Sequence, residues 1–138
     1  MNANQKLISM DMKAKLSTMW IFVLLNIVFR DIHELFRAGF LEEMMTGTVN
    51  GVQLTEEFML VAGVLFEIPI AMVLFARVLE YRTNRWANII ASVVTIGFIF
   101  FNGAQDLDDL WFYAIGVATL LFIIWYAWRW STQDATVA

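Results

Sequence analysis

The stretch FMLVAGVLFEIPIAMVLFA, which runs from Phe58 to Ala76, decides the fold class of this chain. It is 19 residues long, and it contains one charged side chain, Glu67, and one proline, Pro69. A helix needs roughly 20 apolar residues to cross a hydrocarbon core of about 30 Å. This stretch therefore predicts a membrane-spanning helix.

Three further stretches have the same character. Trp86 to Gln105 is 20 residues long and uncharged, and Leu110 to Trp128 is 19 residues long and uncharged. Leu16 to Phe29 is mostly apolar, and no helix breaker follows it until Gly39. We therefore predict an all-α integral membrane four-helix bundle in a single domain over residues 1–138. The predicted spans are residues 16–41, 56–80, 84–105 and 107–130.

The composition of the chain supports this class and excludes others. The chain has 138 residues, of which 60% are hydrophobic and 16% charged, whereas soluble domains are about 45–50% apolar and 25% charged. The absence of Cys excludes a disulfide scaffold and a thiol redox centre, and a single His excludes a haem held by two histidines of one chain. The chain has no phosphate-binding loop and no zinc spacing. We expect no metal, no cofactor and no nucleic-acid partner.

The charges predict how the chain is oriented in a membrane. Basic residues flank both termini and the connection between the second and third spans: Lys6, Lys13, Lys15, Arg77, Arg82, Arg85 and Arg129. The other two connections are acidic and contain Glu42, Glu43, Glu56, Glu57, Asp106, Asp108 and Asp109. Because basic residues stay on the cytoplasmic side, we expect both termini in the cytoplasm and the acidic connections outside.

Aromatic side chains support these boundaries. Trp and Tyr settle at headgroup depth because they combine an apolar body with a polar tip. The residues expected at the inner interface are Trp20, Tyr81, Trp86, Trp125, Tyr126, Trp128 and Trp130, and those at the outer interface are Trp111 and Tyr113.

The connection before the second span carries two local signals. Asn50 and Gly51 lie between two valines, which is typical of a tight β-hairpin turn. Thr55, followed by two glutamates, predicts an N-cap with negative charge at the positive end of the helix dipole.

The first span carries a polar stripe, which we define as Asn26, Arg30, His33, Glu34 and Arg37. At 100° per residue these side chains fall within an arc of about 100°. Charged side chains inside a membrane point into the bundle or a wet cavity and pair there. We therefore expect the polar stripe to face the other three helices.

Depth counting predicts a partner for Arg30. Arg30 precedes the expected helix end at Leu41 by as many residues as Glu67 follows Glu56, which places both roughly 16 Å deep. We therefore predict an Arg30–Glu67 pair, with Asn102 and Gln105 of the third span in the same network. Arg37 is nearer the outer surface, within reach of Glu34, Glu56 or the Asp106–Asp109 cluster.

Short motifs suggest a family. The first span reads LNIVFRDI over residues 25–32, Pro69 interrupts the second span, and NRWAN occupies residues 84–88. With four helices and short loops, the chain resembles small bacterial membrane proteins of uncharacterised function and is similar in layout to the DoxX-like proteins over residues 16–130. The resemblance implies a four-helix bundle in the bacterial inner membrane, and it carries over no catalytic residues.

Three functions are compatible with the sequence. The first is a non-enzymatic binding or transport protein whose outward-facing site takes a small polar or anionic ligand. Its candidate ligand-binding residues are Asn26, Arg30, His33, Glu34, Arg37, Glu67, Asn102 and Gln105. The second is a structural or accessory subunit of a membrane complex, in which the charges fix helix register only. The third, which the lack of a nucleophile disfavours, is an enzyme acting on a lipid or quinone with His33 and Glu34 or Glu67 as acid and base. Small residues in the spans are compatible with a homodimer.

Overall fold

The computed structural model describes residues 3–104 and 106–130, with side chains from residue 10 onward. The described chain is mostly helical. Its elements are α1 (Ala3–Glu34), α2 (Phe40–Met45), β1 (Thr48–Val49), β2 (Val52–Gln53), α3 (Glu56–Val78), α4 (Tyr81–Asn102) and α5 (Leu107–Arg129). The four long helices form a ring in which α1 and α4 each pack against α3 and α5. We call the end of this ring that carries the α1–α3 and α4–α5 connections the acidic end, and the opposite end the basic end.

Helix α1 differs most from its predicted bounds of 16–41. It covers Ala3–Glu34, and Ala3 is the first residue that the structure describes. The polar residues before position 16 contain no helix breaker, and Lys15 bonds Asp11 one turn away at 2.6 Å. It ends at Glu34, where the next three amides bond to carbonyls three residues back. Gly39 then adopts a φ of 83°, a left-handed conformation that redirects the chain into α2.

The remaining connections follow their local sequence signals. Thr48 pairs with Gln53, and Val49 pairs with Val52. Asn50 and Gly51 take φ values of 49° and 77° between the strands, which confirms the predicted hairpin. The Thr55 side chain accepts a hydrogen bond from the Phe58 amide at 3.1 Å, which confirms the predicted N-cap.

The buried core lies towards the basic end and contains polar as well as apolar side chains. Its apolar members include Leu16, Trp20, Val23, Met72, Ala76, Leu120, Ile123 and Trp130. Trp20 and Trp130 are therefore core residues, which corrects their predicted interface position. The Trp20 indole N–H donates to Asn88 at 2.7 Å, and this partner allows the indole to be buried. Trp86, Trp125 and Trp128 are exposed, as is expected of indole side chains at a membrane interface.

The outer surface of the ring is unusually apolar. Four helices are long and apolar enough to cross a membrane, over Met10–Glu34, Glu56–Val78, Tyr81–Asn102 and Leu107–Arg129. Large apolar side chains are exposed along all four of them. Contiguous apolar surface of this extent marks a membrane or protein contact. These features suggest a multi-pass membrane protein.

Candidate functional site

The centre of the candidate site is an ion pair between α1 and α5. The Arg30 side chain donates to both carboxylate oxygens of Asp109, from Nε at 2.7 Å and from Nη2 at 3.0 Å. Asp109 is 1% exposed, and the Arg30 guanidinium also lies over the Tyr113 ring at 5.4 Å. A bidentate pair of this kind is strong and fixes geometry as well as charge. It therefore sets the register of α1 against α5.

The predicted Arg30–Glu67 pair is wrong. Arg30 binds Asp109, and the Glu67 side chain lies on the exposed side of α3. The depth count failed because α1 ends at Glu34 rather than Leu41. Arg30 is therefore about 6 Å from the helix end, level with the first turn of α5, whereas Glu67 lies in the middle of α3.

Further ion pairs extend from Arg30 towards the α1–α3 connection and form a charge network with the Arg30–Asp109 pair. Glu34 is 5% exposed and accepts from Arg30 at 3.5 Å and from Arg37 at 3.2 Å. Arg37 also donates to the Asn50 side chain in the hairpin turn at 3.2 Å. Of the partners predicted for Arg37, the structure selects Glu34. The network thus connects the hairpin to the end of α1.

His33 and the α4–α5 connection form the exposed rim of the site. The His33 Nδ1 atom lies 3.0 Å from a carboxylate oxygen of Asp108, and both side chains are about half exposed. Asp106 caps α5 by accepting from the Asp109 amide at 3.2 Å. A side-chain hydrogen bond with Asp108 raises the pKa of Asp106 above its usual range.

Three carboxyl groups meet where this exposed rim joins the buried ion pairs. Oxygen atoms of Glu34, Asp106 and Asp109 lie within 4.8 Å of one another, which is the spacing of a cation site. Two of the three already have guanidinium partners, Arg30 and Arg37. The arginines therefore supply the positive charge that these carboxylates need, and a metal ion here would have to displace them.

A cavity lies beside the ion pair, inside the ring. It has a volume of about 50 Å³, which is room for a few waters or a molecule of a few heavy atoms. Residues from all four long helices line it: Asn26, Ile27, Arg30, Asp31, Phe66, Phe98, Ile99, Asn102, Phe112 and Tyr113. Asp31 and Asn102 are its exposed polar members, in the last turns of α1 and α4. The cavity therefore opens at the acidic end.

The structure brings together part of the predicted set of site residues. Asn26, Arg30 and Asn102 line the cavity, whereas His33, Glu34 and Arg37 belong to the charge network above it. Asn26 donates to the Phe112 carbonyl of α5 at 2.7 Å, and Asn102 donates to the Phe98 carbonyl of its own helix at 2.8 Å. Glu67 is not part of the lining. Gln105 lies outside the described residues.

Sequence reasoning missed Asp109 as the partner of Arg30 and a second polar cluster at the basic end. In this cluster Asn88 donates to the Asn84 side chain at 2.6 Å, Asn84 donates to the Ala76 carbonyl at 2.8 Å, and both are fully buried. The available signal was the i, i+4 spacing of Asn84, Asn88 and Ser92, which marks one face of an otherwise apolar helix.

The comparisons with known proteins give a family and no activity. No curated protein and no solved structure matches the chain. A family model described as a family of unknown function covers residues 6–137, which is almost the whole sequence. The chain therefore belongs to this family of unknown function, DUF6326.

Proposed function

We propose that this chain is a multi-pass protein of the bacterial inner membrane that binds a small polar molecule at its acidic end. In this proposal both termini are cytoplasmic, the acidic end faces outward, and the layout is that of the DoxX-like proteins. The sorting of charge supports the orientation, because four of the six arginines lie at the basic end and most carboxylates at the acidic end. The four apolar helices support the membrane location.

The observation that carries the proposal is the cavity of about 50 Å³ beside Arg30. Aromatic and aliphatic side chains form most of its wall, and a few polar groups meet at one side, as is typical of ligand sites. Arg30 Nη1 carries two hydrogens, and it donates one bond to Asp31 at 3.3 Å. Among the described residues the second hydrogen has no acceptor, so a hydrogen-bond acceptor on the ligand satisfies it.

The surrounding charge favours a neutral or cationic ligand over an anionic one. Carboxyl groups outnumber guanidinium groups at this end, since Arg30 and Arg37 face a larger acidic set. That set is Asp31, Glu34, Asp106, Asp108 and Asp109. Arg30 is also already neutralised by Asp109. An anion entering the cavity meets this excess negative charge, whereas Asp31 and the Asn102 amide attract a polar or positively charged group.

The proposal is tested with three small molecules of similar size and different charge. The protein is placed in lipid nanodiscs, and binding of acetamide, methylammonium and acetate is measured by ligand-observed saturation-transfer NMR. We expect acetamide, whose carbonyl oxygen offers Arg30 an acceptor, to bind. We expect methylammonium, which has no acceptor, and acetate, which is an anion, not to bind. Substitution of Asn102→Leu, at the mouth of the cavity, is expected to weaken binding about tenfold, or about 1.4 kcal/mol.

The matched control is Phe101→Leu, which changes the neighbouring residue on the same turn of α4. Phe101 is 82% exposed and does not line the cavity, so binding should be unchanged in this variant. The proposal fails if acetate or methylammonium binds as well as acetamide, if none of the three binds, or if the two variants behave alike. Uptake of the bound molecule into sealed vesicles then distinguishes transport from binding.

A second candidate is an accessory subunit of a membrane complex. It is favoured by the ion pairs of the site, since Arg30 and Arg37 already bond to Glu34 and Asp109 without a ligand. Gentle purification followed by native mass spectrometry tests this candidate. A stable complex with a different protein supports it, and a chain that runs alone or with copies of itself contradicts it.

A further inference from the structure

Helix α3 presents one face to the ring and another to its surroundings. The side that faces the ring includes Pro69, Met72 and Ala76, which are buried. The opposite side is what we call the outward stripe, and its residues are Leu60, Gly63, Val64, Glu67, Ile70 and Leu74, all exposed. Their spacing of three and four residues places them on a single helix face. Glu67 lies at the centre of this stripe.

Glu67 lies at a depth where an unpaired carboxyl group in a membrane is energetically unfavourable. It lies midway between Glu56 and Val78, about 16 Å from either end of α3. A glutamate side chain is far too short to reach the membrane surface from that depth, and charged groups at mid-membrane pair with a partner. Within residues 3–104 and 106–130, no hydrogen bond or ion pair involves the Glu67 side chain. The need for a partner depends on the membrane insertion included in the proposed function, and not on the ligand.

Among the residues that the structure describes, the rest of the ring offers no complementary charge at this depth. In the middle turns of the other three helices, the exposed side chains that the structure describes are apolar. Examples are Phe22 and Leu25 on α1, Val93 on α4, and Leu121 and Phe122 on α5. A second copy that placed any of these faces against α3 would leave the carboxyl group unpaired.

We propose that the outward stripe of α3 is the interface between two copies of this chain, with Glu67 of each copy facing Glu67 of the other. Copies with the same orientation in a membrane are related by a two-fold axis along the membrane normal, which brings each residue to its own counterpart at equal depth. The group at the level of Glu67 is then another Glu67, whose carboxyl group can hydrogen-bond to the first. The contact thus gives each carboxyl group a partner that residues 3–104 and 106–130 of its own chain do not supply.

A second observation supports close approach at this point. A Cβ atom built on Gly63 meets no atom within 4 Å, so the surface beside Glu67 is open and lacks a side chain one turn away. Small residues at such positions allow helix backbones to approach closely in membranes, where interhelical hydrogen bonds contribute to association. The open space at Gly63 lets the partner helix come near enough for the two carboxyl groups to meet.

Cysteine cross-linking in native membranes tests the interface directly, because the chain contains no cysteine. Val64→Cys places a thiol on the outward stripe, and Val93→Cys places one on α4; the native valines are 60% and 56% exposed. After mild oxidation we expect a disulfide-linked species of twice 15.9 kDa for Val64→Cys and monomer for Val93→Cys. Equal cross-linking of both variants, or of neither, overturns the proposal.

The role of Glu67 is tested by energy transfer between labelled chains in vesicles over a series of protein-to-lipid ratios. Glu67→Leu is expected to weaken association about tenfold, and Glu67→Gln, which keeps a hydrogen-bonding group, by less than about threefold. The leucine variant removes a polar group from an exposed apolar face, so it leaves the fold intact. Association that is unchanged in Glu67→Leu overturns the proposal.

Two outcomes distinguish a failure of the proposed interface from a failure of membrane insertion. Release of the chain from membranes by alkaline carbonate contradicts membrane insertion, and the inference falls with it. A chain that is retained in membranes but remains monomeric, or whose Val64→Cys variant cross-links to a protein of another mass, contradicts the interface alone. Ligand binding does not depend on the interface, because Val64 and Glu67 do not line the cavity.

Discussion

Replacement of Asp109 by alanine is expected to lower the free energy of unfolding by about 3–5 kcal/mol, the largest effect we predict for a single polar substitution in this chain. The Arg30 guanidinium loses both short bonds to Asp109, at 2.7 and 3.0 Å. Its remaining carboxylate contacts are longer, at 3.3 Å to Asp31 and 3.5 Å to Glu34. A half-buried cation is then left in an apolar bundle without its main counter-ion. Chemical unfolding in mild detergent, followed by circular dichroism, measures the loss.

The matched control is Asp108→Ala, one residue away on the same helix turn. The Asp108 side chain is 46% exposed, and it contacts His33, which is also exposed. Because exposed ion pairs contribute only about 0–1 kcal/mol, this variant should remain close to the native protein. If Asp109→Ala and Asp108→Ala lose the same stability, the Arg30–Asp109 pair does not determine the register of α1 and α5.

A double variant separates a structural pair from a ligand site. Arg30→Met combined with Asp109→Leu replaces the pair by apolar side chains, and we expect it to recover most of the stability that Asp109→Ala loses. The same double variant should lose binding in the cavity, since Arg30 supplies the unpaired hydrogen. Recovered stability with retained binding would show that Arg30 has a structural role only.

The architecture could be predicted from the sequence where one physical requirement dominates. A helix that crosses a hydrocarbon core must be long and apolar, and the stretch around Phe58–Ala76 satisfies that requirement with no local detail. The hairpin at Asn50 and the cap at Thr55 could be predicted as well, because each depends on residues within a few positions. None of these features requires knowledge of which helix packs on which.

The partner of Arg30 could not be predicted in the same way, because it depends on where two helices end. Counting depth from Leu41 placed Arg30 in the middle of the membrane, whereas the chain leaves helical geometry after Glu34 and turns at Gly39. A shift of this size moves a side chain by about two helical turns. Asp109 then becomes its partner, and Glu67 is left on the outside of α3.

The buried amides of α4 could have been recognised, but they carry no charge and so did not stand out. Asn84, Asn88, Ser92 and Thr95 repeat at helical spacing along one face, and all four are buried. In an apolar span, such a stripe marks the side that faces other helices, because polar groups in lipid need internal partners. The pattern was therefore sufficient to orient α4, though not to identify Trp20 as the partner of Asn88.

Substitution of Trp20 is the second change for which we expect a large loss of stability. It tests whether Trp20 is a buried residue rather than an interfacial one. Trp20 is fully buried in the core cluster, and its indole N–H donates to Asn88 of α4. Trp20→Ala removes a large side chain from a packed core, for which about 3–5 kcal/mol is usual. We expect about 3 kcal/mol, near the lower limit, because in the proposed membrane location lipid replaces water as the alternative surroundings of the helix.

Two further variants resolve this loss into its parts. Trp20→Phe keeps most of the ring but leaves the Asn88 oxygen without its donor, so we expect a loss of about 1 kcal/mol. Trp86→Ala removes an indole that is 54% exposed at the same end of the bundle, and we expect a loss below about 1 kcal/mol. Circular dichroism is the suitable measurement for all three variants, since tryptophan fluorescence changes with the substitutions themselves. Equal losses in Trp20→Ala and Trp86→Ala would mean that both indoles are interfacial, which would restore the expectation drawn from the sequence and remove Trp20 from the core.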